Sequence, residues 1–285
     1  MKCRHCQNEL NLAMVDLASS PPSNALLTKA MLKGPEKWYP LHILVCETCW
    51  LVQTDDFTDA EELFSDDYAY FSSYSSSMLM HAKEYVDKMV NRFILNENSM
   101  VIEVAANDGY LLQYVQKKSI PCFGIEPTKS TANAARKKGI KIVEKFFGAI
   151  LGKELACEGK KADLMLANNV LAHVPDINDF VAGFNNLLKD NGVATFEFPH
   201  LLNLVKLNQF DTIYHEHFSY LSLISVNKIF KANGLSIFDV EEIPTHGGSL
   251  RVYAQRSNTA SYEVSERFLL LLKKEHDVGM GKADF

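Results

Sequence analysis

The stretch Val101-Ile102-Glu103-Val104-Ala105-Ala106-Asn107-Asp108-Gly109 decides how the rest of the chain is read. Val101, Ile102 and Val104 make a short apolar, β-branched run of the kind buried in a sheet. The small and polar residues after it form a turn, and residues 110–118 continue with helical spacing. Strand, turn and helix in that order open a nucleotide-type α/β domain. A dinucleotide fold places three glycines in this turn, so that the backbone can approach a pyrophosphate at the helix N-terminus. Here Ala105 and Asn107 stand at the first two positions and only Gly109 remains, which weakens NAD and FAD.

Downstream, apolar strands alternate with amphipathic helices, the pattern of a parallel sheet covered on both faces. Strands are expected at 100–105, 121–125, 141–143, 163–167 and 193–198, with helices at 110–118, 130–138, 148–156 and 177–189. Asp176 is placed to cap the last of these, and Gly139 and Gly192 to close helices in the left-handed conformation. A further helix at 225–233, closed by Gly234, precedes strands at 236–241 and 250–255 joined by Pro244-Thr245-His246-Gly247-Gly248-Ser249. These two read as an antiparallel pair at the sheet edge. Five parallel strands finished by such a pair is the arrangement of class I methyltransferases, a Rossmann-like α/β sheet.

That fold agrees with the turn. S-adenosylmethionine carries no phosphate, and its amino-acid and sulfonium groups suit a roomier turn with an acidic or amide rim, which Glu103, Asn107 and Asp108 supply. Glu126 follows the second strand, where a carboxylate can accept hydrogen bonds from both ribose hydroxyls. Asn168 and Asn169 end the fourth strand, at the edge where α/β sheets bind ligands. Each alone is as well explained as a turn or capping residue; at successive strand ends they favour a cofactor.

The chain opens with Cys3-Arg4-His5-Cys6 and later Cys46-Glu47-Thr48-Cys49. The start has no apolar leader and no stretch long enough to span a bilayer, so a cytoplasmic location is expected. In that reducing compartment two C-x-x-C pairs read as Zn2+ thiolate ligands rather than disulfides. Apart from Trp38 to Cys46, which read as a short strand feeding the second pair, the residues around them look irregular and too poor in core to fold unaided, and a structural metal makes up the deficit. Cys122 and Cys157 read as buried or half-buried small side chains. The formal net charge of -6 over 285 residues argues against nucleic acid or an anionic membrane as partner. The expected division is a zinc-binding domain at 1–58, a connector and helix at 59–99, and the cofactor domain at 100–256. Residues 257–285 read as the start of a C-terminal extension with no evident closing element.

Tyr214-His215-Glu216-His217 lies beyond the fifth strand, with His173 and His200 near it in the expected topology. The histidines could bind a metal, act as acid and base, or be ordinary loop residues. Acid/base chemistry ranks first, because an imidazole titrating near neutrality suits removal of a weakly acidic proton beside a carbonyl. The spacing does not choose between His215 and His217.

Together these pieces resemble a known family: the S-adenosylmethionine-dependent sugar C-methyltransferases with an N-terminal zinc-binding domain, of the tetronitrose C-3 methyltransferase type. The resemblance rests on the two Cys pairs, Tyr68 before a Ser-rich run, Glu103 to Gly109, Asn169 to Pro175, Tyr214 to Ser219, and His246 to Arg251. It implies loss of a proton beside the carbonyl of a nucleotide-linked keto-deoxysugar, with thymidine diphosphate as the implied carrier. The enolate then takes the methyl group. By the match His217 is the base, Glu216 orients it, and Tyr214, Tyr68 and His173 position the sugar or stabilise enolate charge. It also implies a third domain of α/β type that helps enclose the sugar nucleotide and that would begin where this sequence ends. O- or N-methylation of another small molecule, and binding without catalysis, are the readings against which this one stands.

Overall fold

The structure is a computed structural model and describes residues 1–55 and 70–284. Tyr68, expected near the substrate, lies outside the described residues. The N-terminal region holds three strands, β1 (Leu12–Ser20), β2 (Tyr39–Val45) and β3 (Val52–Thr54); β2 is the short strand expected at 38–46, while β1 and β3 lie where irregular chain was expected. All three pair antiparallel in sequence order. Alternation along β1 is blurred by two register shifts against β2, which is why the sequence did not announce it.

Helix α1 (Ser76–Phe93) starts at Ser75, whose side chain accepts from the Met78 N–H. It buries Ala82, Tyr85, Val86 and Met89 at the expected spacing. There follow β4 (Val101–Val104), α2 (Leu112–Lys117), β5 (Cys122–Ile125), α3 (Lys129–Lys137), β6 (Ile142–Val143) and α4 (Ala149–Cys157). Then come β7 (Ala162–Asn168), α5 (Ile177–Leu187), β8 (Leu188–Pro199) and a short α6 (Leu201–Lys206). The chain continues through β9 (Ser219–Tyr220), α7 (Leu223–Ala232), β10 (Leu235–Ile243), β11 (Ser249–Arg256) and α8 (Glu266–Asp277).

The large sheet runs β6-β5-β4-β7-β8-β11-β10, parallel through β8 and antiparallel at β11 and β10. This is the class I methyltransferase order expected from the strand pattern. Strand alternation divides the core between the faces. Ile102 and Met165 pack with Leu151, Phe184 and Ile229 from α4, α5 and α7. Their neighbours Val101 and Leu164 pack with Tyr85, Leu112 and Ala135 from α1, α2 and α3. The strand order reverses beside β4, and the crevice at the carboxyl ends of β4, β5 and β7 is where such sheets take ligands.

Asp176 caps α5 as expected, accepting from Asp179 N–H, and Gly139 and Gly234 adopt φ of 81° and 80°. Gly192 does not close a helix. The helix ends at Leu187, and Gly192 sits inside β8, where a Cβ would lie 2.6 Å from the Ala162 carbonyl oxygen; close strand approach is its reason. Cys122 is half-buried, but Cys157 is exposed at the end of α4 rather than buried. Among the described residues no helix is long and apolar enough to cross a membrane.

Residues 257–284 do not trail from the domain. Ser265 caps α8, which buries Phe268 and Leu271. The fully buried Glu275 carboxylate accepts from the first amides of α7, Leu223 N–H at 2.7 Å and Ile224 N–H at 2.8 Å, and from His200 Nε2 at 2.7 Å. A carboxylate at a helix N-terminus satisfies donors that have no partner within the helix and favours the local dipole. His200 therefore belongs to this capping network and not to the histidine cluster.

Candidate active site

The turn after β4 is held by its backbone. Ala105, Asn107 and Gly109 all have positive φ, of 56°, 49° and 75°, so three of five residues are left-handed although only one is glycine. Such non-glycine residues cost on the order of 1–2 kcal/mol each. Glu126 stabilises the turn: one carboxylate oxygen accepts from Asn107 N–H and the other from Thr128 N–H, both at 2.9 Å. Gly109 has a packing role, since a Cβ there would stand 2.3 Å from the Ile140 side chain. The Asn107 amide faces the connector, accepting from Ser72 N–H and donating to the Tyr70 carbonyl, each at 3.0 Å. Asp108 pairs with Lys138 at 3.1 Å and accepts from Ser73. The Ser-rich connector is thus laid directly on the turn.

Around this turn lie buried polar atoms with no hydrogen-bond partner among the described residues: Glu103 Oε2, Asp108 Oδ1, Asn169 Oδ1 and both amide atoms of Asn168. Unpartnered buried polar groups are rare and costly in a folded protein, and their position at the ends of β4 and β7 fits a polar ligand. Burial, with Glu126 and Asp108 nearby, pushes the Glu103 carboxyl well above its usual range. Burial also raises Glu126, opposed by the two backbone N–H groups.

Two loops bring the imidazoles together. His173 lies on a single 3-10 turn, Leu171–His173, beyond β7. His217 lies in the loop before β9, turned so that its N–H reaches the Tyr214 carbonyl at 3.0 Å. The two rings meet edge-on with centroids 4.6 Å apart, and the Tyr214 ring is 4.2 Å from His217. His217 Nδ1–H donates to the Thr212 carbonyl at 2.8 Å, so Nε2 carries the lone pair and accepts from the Tyr214 hydroxyl at 3.0 Å. The tautomer is set by that one backbone acceptor. Burial pulls His217 down to about 4, with His246 acting in the same direction. It lowers His173 well below the usual imidazole value.

The expected orienting role of Glu216 is not what the geometry provides. Both His217 nitrogens are occupied by Thr212 and Tyr214, while the Glu216 carboxylate accepts from Ser23 and Asn24 of the N-terminal module. His215 also turns away, its Nε2 lying 3.2 Å from the carbonyls of both Tyr39 and Pro40. A metal site shared by His215 and His217 is thereby excluded.

One group escaped the sequence reading. Glu197, fully buried at the end of β8, lies 2.7 Å from His81 Nε2 and 2.6 Å from the Arg251 guanidinium. Burial opposes its charge, but His81 and Arg251 hold its carboxyl below the usual range. His246, at a φ of 51° in the β10–β11 turn, feels both Glu197 and His81 and in turn lowers His217. The signal was present: a carboxylate inside the apolar run Phe196-Glu197-Phe198 needs a buried partner. A cleft of about 760 Å³ opens beside this group, with His81, Tyr85 and Arg251 in its wall.

The four N-terminal cysteine sulfurs all lie within 4.8 Å of one another. A tetrahedron of thiolates on Zn2+ places sulfurs about 3.8 Å apart, and two observed separations are 3.5 Å and 3.4 Å. Both pairs form the same turn. Gln7 N–H reaches the Cys3 carbonyl and Trp50 N–H the Cys46 carbonyl, with Gln7 and Trp50 at φ of 64° and 65°. Backbone N–H groups of His5, Asn8 and Leu51 face the sulfurs of Cys3, Cys6 and Cys49, which favours thiolate. The donor set fits a closed structural zinc site.

Comparison with known proteins agrees with this architecture. Residues 78–240 match the family described as "Methyltransferase domain". The chain belongs to that family. Residues 3–64 match a second one, described as "Putative zinc binding domain". The C-methyltransferase NovU of Streptomyces niveus is 33% identical over 279 residues, which is 98% of this chain and 66% of that protein; the chain thus spans just under two thirds of its relative. Among solved structures, the PH0226 protein of Pyrococcus horikoshii aligns with a TM-score of 0.54 at 12% identity, covering 70% of this chain and 99% of the other. Magnesium protoporphyrin IX methyltransferase of Synechocystis with bound S-adenosylhomocysteine aligns at 0.50 and 18% identity, covering 63% and 83%. At those identities the two structures speak for the fold of an S-adenosylmethionine-dependent methyltransferase.

Proposed function

We propose that this methyltransferase transfers the methyl group to carbon, on a nucleotide-linked keto-deoxysugar, with thymidine diphosphate as the carrier and His217 as the base. The observation that carries the reading is the fixed neutral imidazole of His217, with Nε2 directed at a phenol and a second imidazole beside it. O- or N-methylation needs no such base, because the nucleophile already has a lone pair. The similarity to a C-methyltransferase supports the same reading.

In this mechanism S-adenosylmethionine, when bound, would supply an electrophilic methyl group, its S–CH3 bond breaking with the electron pair to sulfur so that S-adenosylhomocysteine leaves. Glu126 would bind the ribose hydroxyls, and Glu103, Asp108, Asn168 and Asn169 the remaining polar groups, at the strand ends where their atoms lack partners. His217 Nε2 accepts the proton from the carbon beside the keto group. The C–H electron pair passes to the carbonyl oxygen, toward which the Tyr214 hydroxyl would turn its hydrogen from Nε2 as the charge develops, while His173, whose Nδ1–H is donated to the Glu216 carbonyl at 2.9 Å, accepts at Nε2 and so positions a sugar hydroxyl. The same carbon then forms the new C–C bond and the carbonyl is restored, while the proton stays on His217 until it leaves to solvent.

Two measurements bear on this. Incubation with [methyl-13C]-S-adenosylmethionine and a thymidine-diphosphate keto-deoxysugar is expected to give a product whose labelled methyl is bonded to carbon. A methyl on oxygen or nitrogen removes the enolate route. Replacing Glu126 by Ala deletes the acceptor for two backbone amides and the proposed ribose contacts. Hydrogen bonds to a charged group contribute about 1.5–3 kcal/mol, so S-adenosylhomocysteine affinity by calorimetry should fall about 10- to 100-fold.

A further inference from the structure

We propose that Arg4, lying between the cysteines of the first zinc knuckle, is a positioning residue of the methyl-transfer site that sets the spacing of the loops carrying His173 and His217. This rests on the reading of His217 as the base. Arg4 is 8% exposed, and its guanidinium reaches from the N-terminal module into the methyltransferase domain. Nη1 donates to the Pro175 carbonyl at 3.0 Å, two residues beyond His173. Nη2 donates to the Thr54 carbonyl at 3.1 Å, and the guanidinium carbon stands 5.3 Å from the centre of the Phe218 ring, next to His217.

Thr54 completes the hold on the second loop. Its N–H reaches the Phe218 carbonyl at 3.2 Å and its hydroxyl the His217 carbonyl at 3.5 Å. At the other end, Arg4 N–H donates to Gln53 Oε1 at 2.9 Å, and Gln53 Nε2 donates to Cys3 Sγ at 3.3 Å. An unbroken series of contacts therefore runs from a metal ligand through the buried side chains of Gln53 and Arg4 to both histidine loops. A planar fork that bonds two carbonyls from different segments while stacking on an aromatic ring is a task for arginine. The lysine ammonium is a point charge on a flexible stem and does not reproduce it.

A residue that only joined the two modules would give lower stability and nothing else. A positioning residue also moves the histidines. The groups facing His217 are Tyr214, Tyr220, His173, His246 and the Thr212 carbonyl, and all but the carbonyl are neutral or disfavour its protonation. Loosening the loop admits water and raises its pKa from about 4 toward the usual imidazole value.

The test uses Arg4→Ala and Arg4→Lys in the zinc-loaded protein. Zinc content, S-adenosylhomocysteine affinity, acceptor KM, kcat, and the His217 titration by histidine-selective NMR without substrate are all measured. For Arg4→Ala the expected result is retained zinc and cofactor affinity, kcat lower by about 10²-fold, little change in KM, and an upward-moving His217 titration. Millimolar guanidinium should restore part of kcat to Arg4→Ala. An unmoved titration with zinc retained overturns the proposal, as does loss of zinc in both variants, which would place Arg4 in folding of the knuckle. A moved titration with unchanged kcat leaves the loop anchor standing but removes His217 from the chemistry, and so overturns the catalytic consequence proposed here.

Discussion

Replacing His217 by Asn is expected to lower kcat for carbon methylation by about 10²–10⁴-fold and to leave S-adenosylhomocysteine affinity unchanged. The asparagine amide sits where Nδ1–H does and can still donate toward the Thr212 carbonyl, so the loop keeps that anchor, although the shorter side chain does not reach the Tyr214 hydroxyl. What disappears is the only basic lone pair set at Nε2. The cofactor turn is fixed separately by Glu126, which is why binding and turnover should part. A second signature follows from burial, which lowers His217 to about 4 in the folded chain. The unfolded imidazole protonates near 6.5, so between those values the unfolded state binds more protons. The His217 contribution to stability is therefore complete above about pH 6.5 and lost as pH falls toward 4. An asparagine amide does not protonate in this range, and the His217→Asn variant should lose less stability than the parent across that window in denaturant titrations. The acid limb of kcat/KM should correspondingly lie far below the ordinary imidazole range. Unimpaired carbon methylation by the variant would remove His217 from the mechanism.

The elements that could be read from sequence are those whose signal is local. Apolar runs bounded by turns gave the parallel strands and their order, because a run such as Asp163 to Ala167 needs only its own residues to mark it. Asp176, Gly139 and Gly234 were legible for the same reason. The four cysteine ligands also required nothing beyond spacing and compartment. What stayed hidden depends on partners far along the chain. Strand β9 is two residues long and exists because Val52 and Gln53 pair with Tyr220 and Ser219. Glu275 looks like a surface charge in a helical repeat, and its burial follows from the amides of α7 lying over it. Gly192 was given a local explanation, a helix end, when its cause is the neighbouring strand. The match to the sugar methyltransferase family supplied His217 but assigned its orientation to Glu216. The fold gives that task to a main-chain carbonyl, a class of partner that no sequence motif displays.

Removing the zinc is expected to abolish turnover while cofactor binding persists, since the N-terminal module and the cofactor turn are held by different means. The module has little core of its own. Leu41, Ile43 and Val52 pack chiefly against Leu201, Leu202, Ile213, Tyr220 and Ile224 of the methyltransferase domain, and in small zinc modules the metal supplies about 10–16 kcal/mol of folding free energy. Without it β3 has no reason to remain a strand, and β9 loses its partner. The Tyr39 and Pro40 carbonyls also leave His215, and Ser23 and Asn24 leave Glu216. The segment from Thr212 to Leu221 then carries its histidines on a loop anchored only at its ends. Parallel strands β4, β5 and β7 keep their pairing throughout, so the Glu126-braced turn survives. Chelated protein, or a Cys49→Ser variant, should show fast hydrogen exchange across residues 212–221, kcat lower by at least about 10²-fold, and nearly unchanged S-adenosylhomocysteine affinity. Metal-free protein with slow exchange in that segment and full turnover would break the link between the cysteine knuckles and the base, and would leave the zinc module without a part in positioning His217.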